Sequence, residues 1–176
     1  MAVLCEAISV VVRAERALAA FGSFEAFKRT VPNETLVADN ELMRVGFMVP
    51  DDVKAFIEVL GQHGLTYLRD GQAIDLVVVD QMRGPMIPCE WLEFGKILLS
   101  GGEVSAARIK GSTTTQLFTP DGWQLDGSLS QTFGFVPEGH EDRAMRFLRH
   151  EKGLDVYFNP LTGKEVYVGR TGGESQ

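Results

Sequence analysis

Three stretches of this chain, 8–12, 42–49 and 74–79, are apolar at nearly every position. A strand with one wet face alternates; continuous apolarity requires burial on both faces. Between these runs the period changes. Leu18, Phe21, Phe24 and Phe27 recur every third residue over 14–29, which predicts a helix, kinked or split at Gly22-Ser23 and ended before Pro32-Asn33. Thr35 to Ala38 and Leu42 to Val49 read as a hairpin about Asp39-Asn40-Glu41. Pro50-Asp51-Asp52 then opens a second helix with Val53, Phe56, Ile57 and Leu60 on one face, the two Asp as caps, and Gly64 as its stop. Leu65 to Leu68, the turn signal Asp70-Gly71 and Ile74 to Asp80 complete the first half.

The element order β-α-β-β-α-β-β is a split βαβ pattern of the ferredoxin-like kind. Two helices cover one face of such a sheet, and something must cover the other. Either the second half of the chain or a partner does so, and the second option predicts a homodimer. Residues 88–176 read mainly as β: Trp91 to Leu99 and Val104 to Lys110 joined through Ser100-Gly101-Gly102, then Thr113 to Phe118 leading into the turn Thr119-Pro120-Asp121-Gly122. A helix is predicted over 138–152, followed by a hairpin of Leu154 to Phe158 and Glu165 to Val168. In that hairpin Tyr157-Phe158-Asn159 with Thr162 is similar to the centre of a WW domain. The flanking tryptophans are missing, so the segment is taken as an ordinary turn. The fold class is α+β, a single unit over 1–176 with a seam at the proline-containing 82–88.

Composition narrows the function classes. Of 176 residues, 17 are Lys or Arg and 24 Asp or Glu, a formal charge of −7. That balance excludes the basic footprint of a nucleic-acid protein. No apolar run approaches the length of a membrane span, and no basic leader precedes one, which predicts a cytoplasmic protein with no membrane partner. Two cysteines, Cys5 and Cys89, are too few for a disulfide framework, and their neighbours Glu6 and Glu90 raise a thiol pKa instead of lowering it. Phosphate-binding glycine loops, His-Glu-x-x-His, Cys-x-x-Cys and Gly-x-Ser-x-Gly are all absent from the sequence.

Three groups of residues remain as candidates. Glu6 precedes the first long strand, Asp80 ends the strand 74–80, and Glu90 precedes Trp91; strand pairing could gather these carboxylates at one sheet edge for acid–base work or a divalent ion. Arg143, Arg146 and Arg149 recur every third residue of the predicted helix and would form a cationic stripe for a carboxylate, phosphate or acidic partner. Trp123, just past a turn tip, would mark a contact surface, whereas Trp91 reads as core.

Residues 42–96 carry a further pattern: the strand Arg44-Val45-Gly46-Phe47-Met48-Val49, a helix opened by Pro50-Asp51-Asp52-Val53, Gly64-Leu65, the strand Asp75 to Asp80, a Gly-Pro turn, and Glu90-Trp91-Leu92-Glu93. This third of the chain resembles one β-α-β-β-β module of the vicinal oxygen chelate (glyoxalase-like) group. The resemblance implies a metal ligand, often His, at the start of the first strand and a Glu on the last. Met43 and Arg44 occupy the first place and cannot ligate; Glu90 or Glu93 fits the second. No metal or other cofactor is therefore expected. The reading overall is a non-catalytic soluble intracellular protein that binds a small molecule or a protein partner. The alternative is a small enzyme built on the Glu6, Asp80 and Glu90 carboxylates.

Overall fold

A computed structural model describes residues 1–126, 128–130, 146–151, 154–159 and 164–169. The chain begins with two extended runs, β1 (Ala2–Leu4) and β2 (Ile8–Arg13), joined by a corner in which Ala7 adopts φ +48°. Two helices follow, α1 (Ala14–Phe21) and α2 (Phe24–Thr30). They are split where the sequence predicts, because Gly22 takes φ +84° and Ser23 caps α2 through Oγ, which accepts from Ala26 N at 3.1 Å. Ser23→Ala removes that acceptor and should cost about 1 kcal/mol, read from the urea midpoint. A loss below a few tenths would mean that packing alone holds α2.

Next come β3 (Val37–Ala38), β4 (Leu42–Phe47) and α3 (Pro50–Gln62), then a small hairpin of β5 (Leu68–Arg69) and β6 (Gln72–Ala73). Asp70 and Gly71 turn that hairpin with φ +51° and +76°, the left-handed pair expected of Asp-Gly. The strands β7 (Leu76–Asp80), β8 (Gly84–Pro85), β9 (Leu92–Leu99), β10 (Gly102–Ile109) and β11 (Leu117–Phe118) complete the main body. One expected detail differs. Neither Asp51 nor Asp52 caps α3: the capping position is Val49, which offers no side-chain bond, and the two Asp lie in the first turn, where they complement the helix dipole.

The first sheet runs β3-β4-β2-β7-β8, every neighbour antiparallel. Because β4 lies between β2 and β3, the segment that carries α1 and α2 joins two strands that are not neighbours in the sheet. Alternation along these strands sorts the side chains. Val10, Val12, Met43, Val45, Phe47, Leu76 and Val78 pack with Phe27, Phe56 and Leu60 from the helices. Val11, Leu42, Val77 and Val79 face the other way and pack with Val3, Cys5, Leu92 and Ala107. Those last residues belong to a second sheet, ordered β11-β1-β10-β9. The doubly apolar strands thus find both covers within one chain, and the packing need that pointed to a homodimer is met internally.

The start of the chain is interleaved with residues far along it. Strand β1, which sequence reasoning passed over, pairs antiparallel with β10 (Val3 opposite Ala107) and parallel with β11 (Val3 opposite Phe118). A three-residue strand carries too little periodicity to be seen.

The predicted helix over 138–152 is corrected in part. Arg146–Glu151 is a strand, β12, paired antiparallel with β13 (Leu154–Asn159), which pairs with β14 (Lys164–Gly169). Pairing with the strand that follows immediately in the chain, Glu151 opposite Leu154, overrides the helical preference of this Arg- and Glu-containing stretch. The remainder of the predicted helix, with Arg143, lies outside the described residues.

Candidate functional site

The sheet-to-sheet interface holds a polar cluster in the middle of apolar packing. Ser9, Arg44 and Gly46 share the face of the first sheet that looks toward the second, since they alternate with Val10 and Val45 on the helix side. Arg44 is 3% exposed. Its guanidinium donates from Nε to Ser9 Oγ (3.1 Å) and from one terminal nitrogen to the Thr35 carbonyl (3.3 Å). Two residues along the same strand, Gly46 provides the room, because a Cβ there would stand 2.7 Å from the guanidinium. Thr35 and Asn33 brace this point: Thr35 Oγ1 accepts from Gly46 N (2.7 Å), and Asn33 Nδ2 donates to Gly46 O (2.7 Å).

Negative charge reaches this cluster from the corner between β1 and β2. Glu6 is 6% exposed, and both its oxygens are used. Oε1 accepts from Trp123 Nε1, and Oε2 accepts from Ser130 N at 2.7 Å. Burial pushes its carboxyl above the usual Glu range, opposed by Trp123, Arg44 and the Ser130 amide. Burial lowers the Arg44 guanidinium pKa, and the Cys5 and Glu6 charges act against that. The Cys5 thiol is pushed up to about 12, chiefly by burial, so at neutral pH it is an inert thiol and not a nucleophile. Cys89 is likewise raised by burial.

Glu6 and Asp80 do lie near one edge, Ile8 pairing with Asp80 across β2 and β7, but they serve different partners. Asp80 Oδ1 accepts from Met82 N (2.9 Å) and Arg83 N (2.8 Å), closing the turn after β7. Glu90 is exposed just before β9. Among the described residues no group of three or more His, Cys, Asp and Glu could hold a metal ion. At the positions of the module-like pattern, Met43 and Arg44 are buried in β4, and Glu93, exposed on β9, pairs with Arg108 at 2.8 Å. Of the cationic series, Arg149 on β12 meets Glu165 on β14 with two bonds of 2.9 and 3.0 Å, while Arg146 stands on the same strand. Trp123 is half-buried, its indole nitrogen turned to Glu6. Trp91 is half-buried too, donating to Ala73 O (3.1 Å), with Arg13 over its ring.

A groove of about 270 Å³ opens on the outer face of the second sheet. The register puts Ala2 opposite Arg108, Gly95 opposite Ala106 and Ile97 opposite Val104, all on the face turned away from the first sheet. Ala2, Gly95, Ile97 and Ala106 form an apolar floor; Arg108, Glu93 and Thr114 form a polar wall. Arg108 is anchored by Nε to Glu93 and by one terminal nitrogen to the Thr114 carbonyl (2.6 Å), which leaves its other terminal nitrogen for a ligand. Sequence reasoning missed this groove, since its residues come from three strands and the loop after β10, which only pairing assembles. Among the described residues no helix is long and apolar enough to cross a membrane. No family model, curated protein or solved structure matches the chain.

Proposed function

We propose that this is a non-catalytic binding protein whose ligand is a small molecule with an apolar body and a carboxylate end, held in the groove on the outer face of the second sheet. The observation that carries the reading is Arg108, oriented by two bonds beside an apolar floor with a donor to spare. Pockets are commonly apolar with a few placed polar groups that fix orientation. A planar guanidinium suits a carboxylate, and the volume limits the ligand to roughly a dozen heavy atoms. Supporting the non-catalytic side, Glu6 and Asp80 accept from separate partners, and Glu90 is exposed just before β9.

Titration with benzoate and hexanoate, followed by amide shifts, tests it. The amides of Gly95, Ile97, Arg108 and Thr114 should move together, and Arg108→Gln should weaken binding about tenfold, the value of one charge-assisted contact. The Arg108–Glu93 pair is partly exposed and Gln can still donate toward the Thr114 carbonyl, so the substitution should cost no more than about 1 kcal/mol of stability. Shifts elsewhere, or affinity indifferent to Arg108, would overturn the reading.

A further inference from the structure

Among the described residues, four strands stand at the edges of the two large sheets, and three of them are short. Strands β3, β8 and β11 have two residues each, and β8 ends in Pro85. Short strands and prolines at an edge prevent pairing with another chain. The fourth, β9, has eight residues and no proline, and it pairs with β10 from Leu92 to Leu99 with no bulge. Its two charges do not guard it. Glu93 accepts from Arg108 Nε (2.8 Å) and Lys96 Nζ donates to Ser105 Oγ (2.7 Å), so both are drawn back onto β10. Leu98, on the same strand, is 82% exposed. Gly95 adds a separate observation. A glycine inside a strand weakens it, and a left-handed φ, a bulge or a crowded neighbour is the usual reason for one. Gly84 and Gly46 have such reasons. Gly95 has none of them, with nothing among the described residues within 4 Å of where its Cβ would stand. The reason left is an approach from outside the chain.

We propose that two copies of this chain pair through β9, antiparallel about a two-fold axis at Gly95. The ground is the edge of the second sheet, not the faces of the first, which are covered within the chain. Lys110 N donates to Trp91 O at 2.9 Å, which fixes the alternation along this ladder. Glu93, Gly95, Ile97 and Leu99 therefore spend their N–H and C=O on β10, while Phe94, Lys96 and Leu98 turn theirs to the open edge. A second copy fits because the strand is its own complement. A two-fold axis normal to the sheet centres the pairing on one residue. Centring on Lys96 sets two ammonium groups opposite each other, which is unfavourable. Centring on Ile97 overlaps only Gly95 to Leu99. Centring on Gly95 overlaps Leu92 to Leu98, lets Phe94 exchange bonds with Lys96 of the second copy, and opposes no like charges. Gly95 then faces Gly95 at a non-hydrogen-bonded position, where opposed Cα atoms come closest, about 4.5 Å. Each copy has one such edge, so the assembly closes at two. This inference goes beyond the groove reading and stands without it.

Sedimentation equilibrium of the whole chain, from micromolar to near-millimolar concentration, should show the mass rising from one chain to two and no further. Leu98→Lys restores a charge to the edge, opposite Glu103 within its own sheet, so the fold is kept. The dissociation constant should rise about tenfold or more. Cross-linking reads the register, in chains carrying Cys89→Ser and with Cys5 buried. Gly95→Cys should form the inter-chain disulfide about tenfold faster than Leu98→Cys, because only position 95 meets its own copy within disulfide reach. A single-chain mass at every concentration would overturn the proposal and assign the edge to a strand of another protein. Growth beyond two copies, an unchanged dissociation constant in Leu98→Lys, or cross-linking at position 98 as fast as at 95 would overturn it as well.

Discussion

Arg44→Met is expected to lower the unfolding free energy by about 3 kcal/mol at about pH 8, and by clearly less at about pH 5. Methionine keeps the volume and removes the desolvation cost of a buried cation, which by itself favours the variant. Two losses outweigh that gain. Ser9 Oγ and the Thr35 carbonyl lose their donor inside the interface, at about 1–3 kcal/mol for each group left unsatisfied. Glu6 also loses the cation that offsets its burial. The pH dependence has a definite sign. The folded-state pKa of Glu6 is already raised, so its neutral form is favoured by folding, and the stability it contributes is present at low pH and lost as pH rises through the folded value. Without Arg44 that folded value climbs further, so the penalty is largest when the carboxylate is ionised and shrinks on acidification. Urea denaturation at the two pH values measures it. An equal loss at both would show that Arg44 does not act through Glu6, and adding Glu6→Gln to Arg44→Met should recover part of the loss at about pH 8.

Gly84→Ala is expected to cost about 2–4 kcal/mol, from two sources that controls can separate. Gly84 has φ +83°, where an L side chain costs roughly 1–2 kcal/mol. A Cβ there would also stand 2.8 Å from Phe94 Cδ1 and 3.2 Å from Cγ, against a ring in the packing between the sheets. Gly22 supplies the control, with φ +84° and nothing within 4 Å of its Cβ position. Gly22→Ala should cost about 1 kcal/mol, the backbone term alone. The excess at Gly84 is then the Phe94 contact, and Phe94→Leu combined with Gly84→Ala should relieve it. Equal costs at the two glycines would show that the ring moves aside freely.

The sheet that carries most of the core was legible because its strands say two things at once. Ile8-Ser9-Val10-Val11-Val12 has the β-branched composition of a strand and lacks the alternation of a wet one, and the structure supplies a cover on each side. The helices were legible through spacing and through Gly22, Ser23 and Gly64 as punctuation. Arg44 stands in the sequence at a place where it cannot ligate a metal, and its importance lies in being buried. The signal available was Arg44 with Gly46 two positions on, a long cation beside a missing side chain on one strand face. The joining of Glu6 to Trp123 had no signal at all, because 117 residues separate them and neither segment is periodic. At Arg146–Glu151 local preference pointed to a helix and pairing with β13 decided otherwise.

The position of β1 also orders events in time. Val3 must wait for Ala107 and Phe118 before its sheet can close, a delay of roughly 5–20 s at ordinary rates of synthesis. Strands β2, β4 and β7 are available much earlier, so the first sheet can gather its helices while its other face still looks onto water. Contacts so distant in sequence make the closing step intrinsically slow. During that interval Arg44 is a hydrated charge in the middle of an open apolar surface, flanked by Val11 and Leu42. Inward-pointing charges of this kind discourage sheet-to-sheet association with other chains. The residue that is costly to bury in the finished protein is thus a gatekeeper for the half-built one.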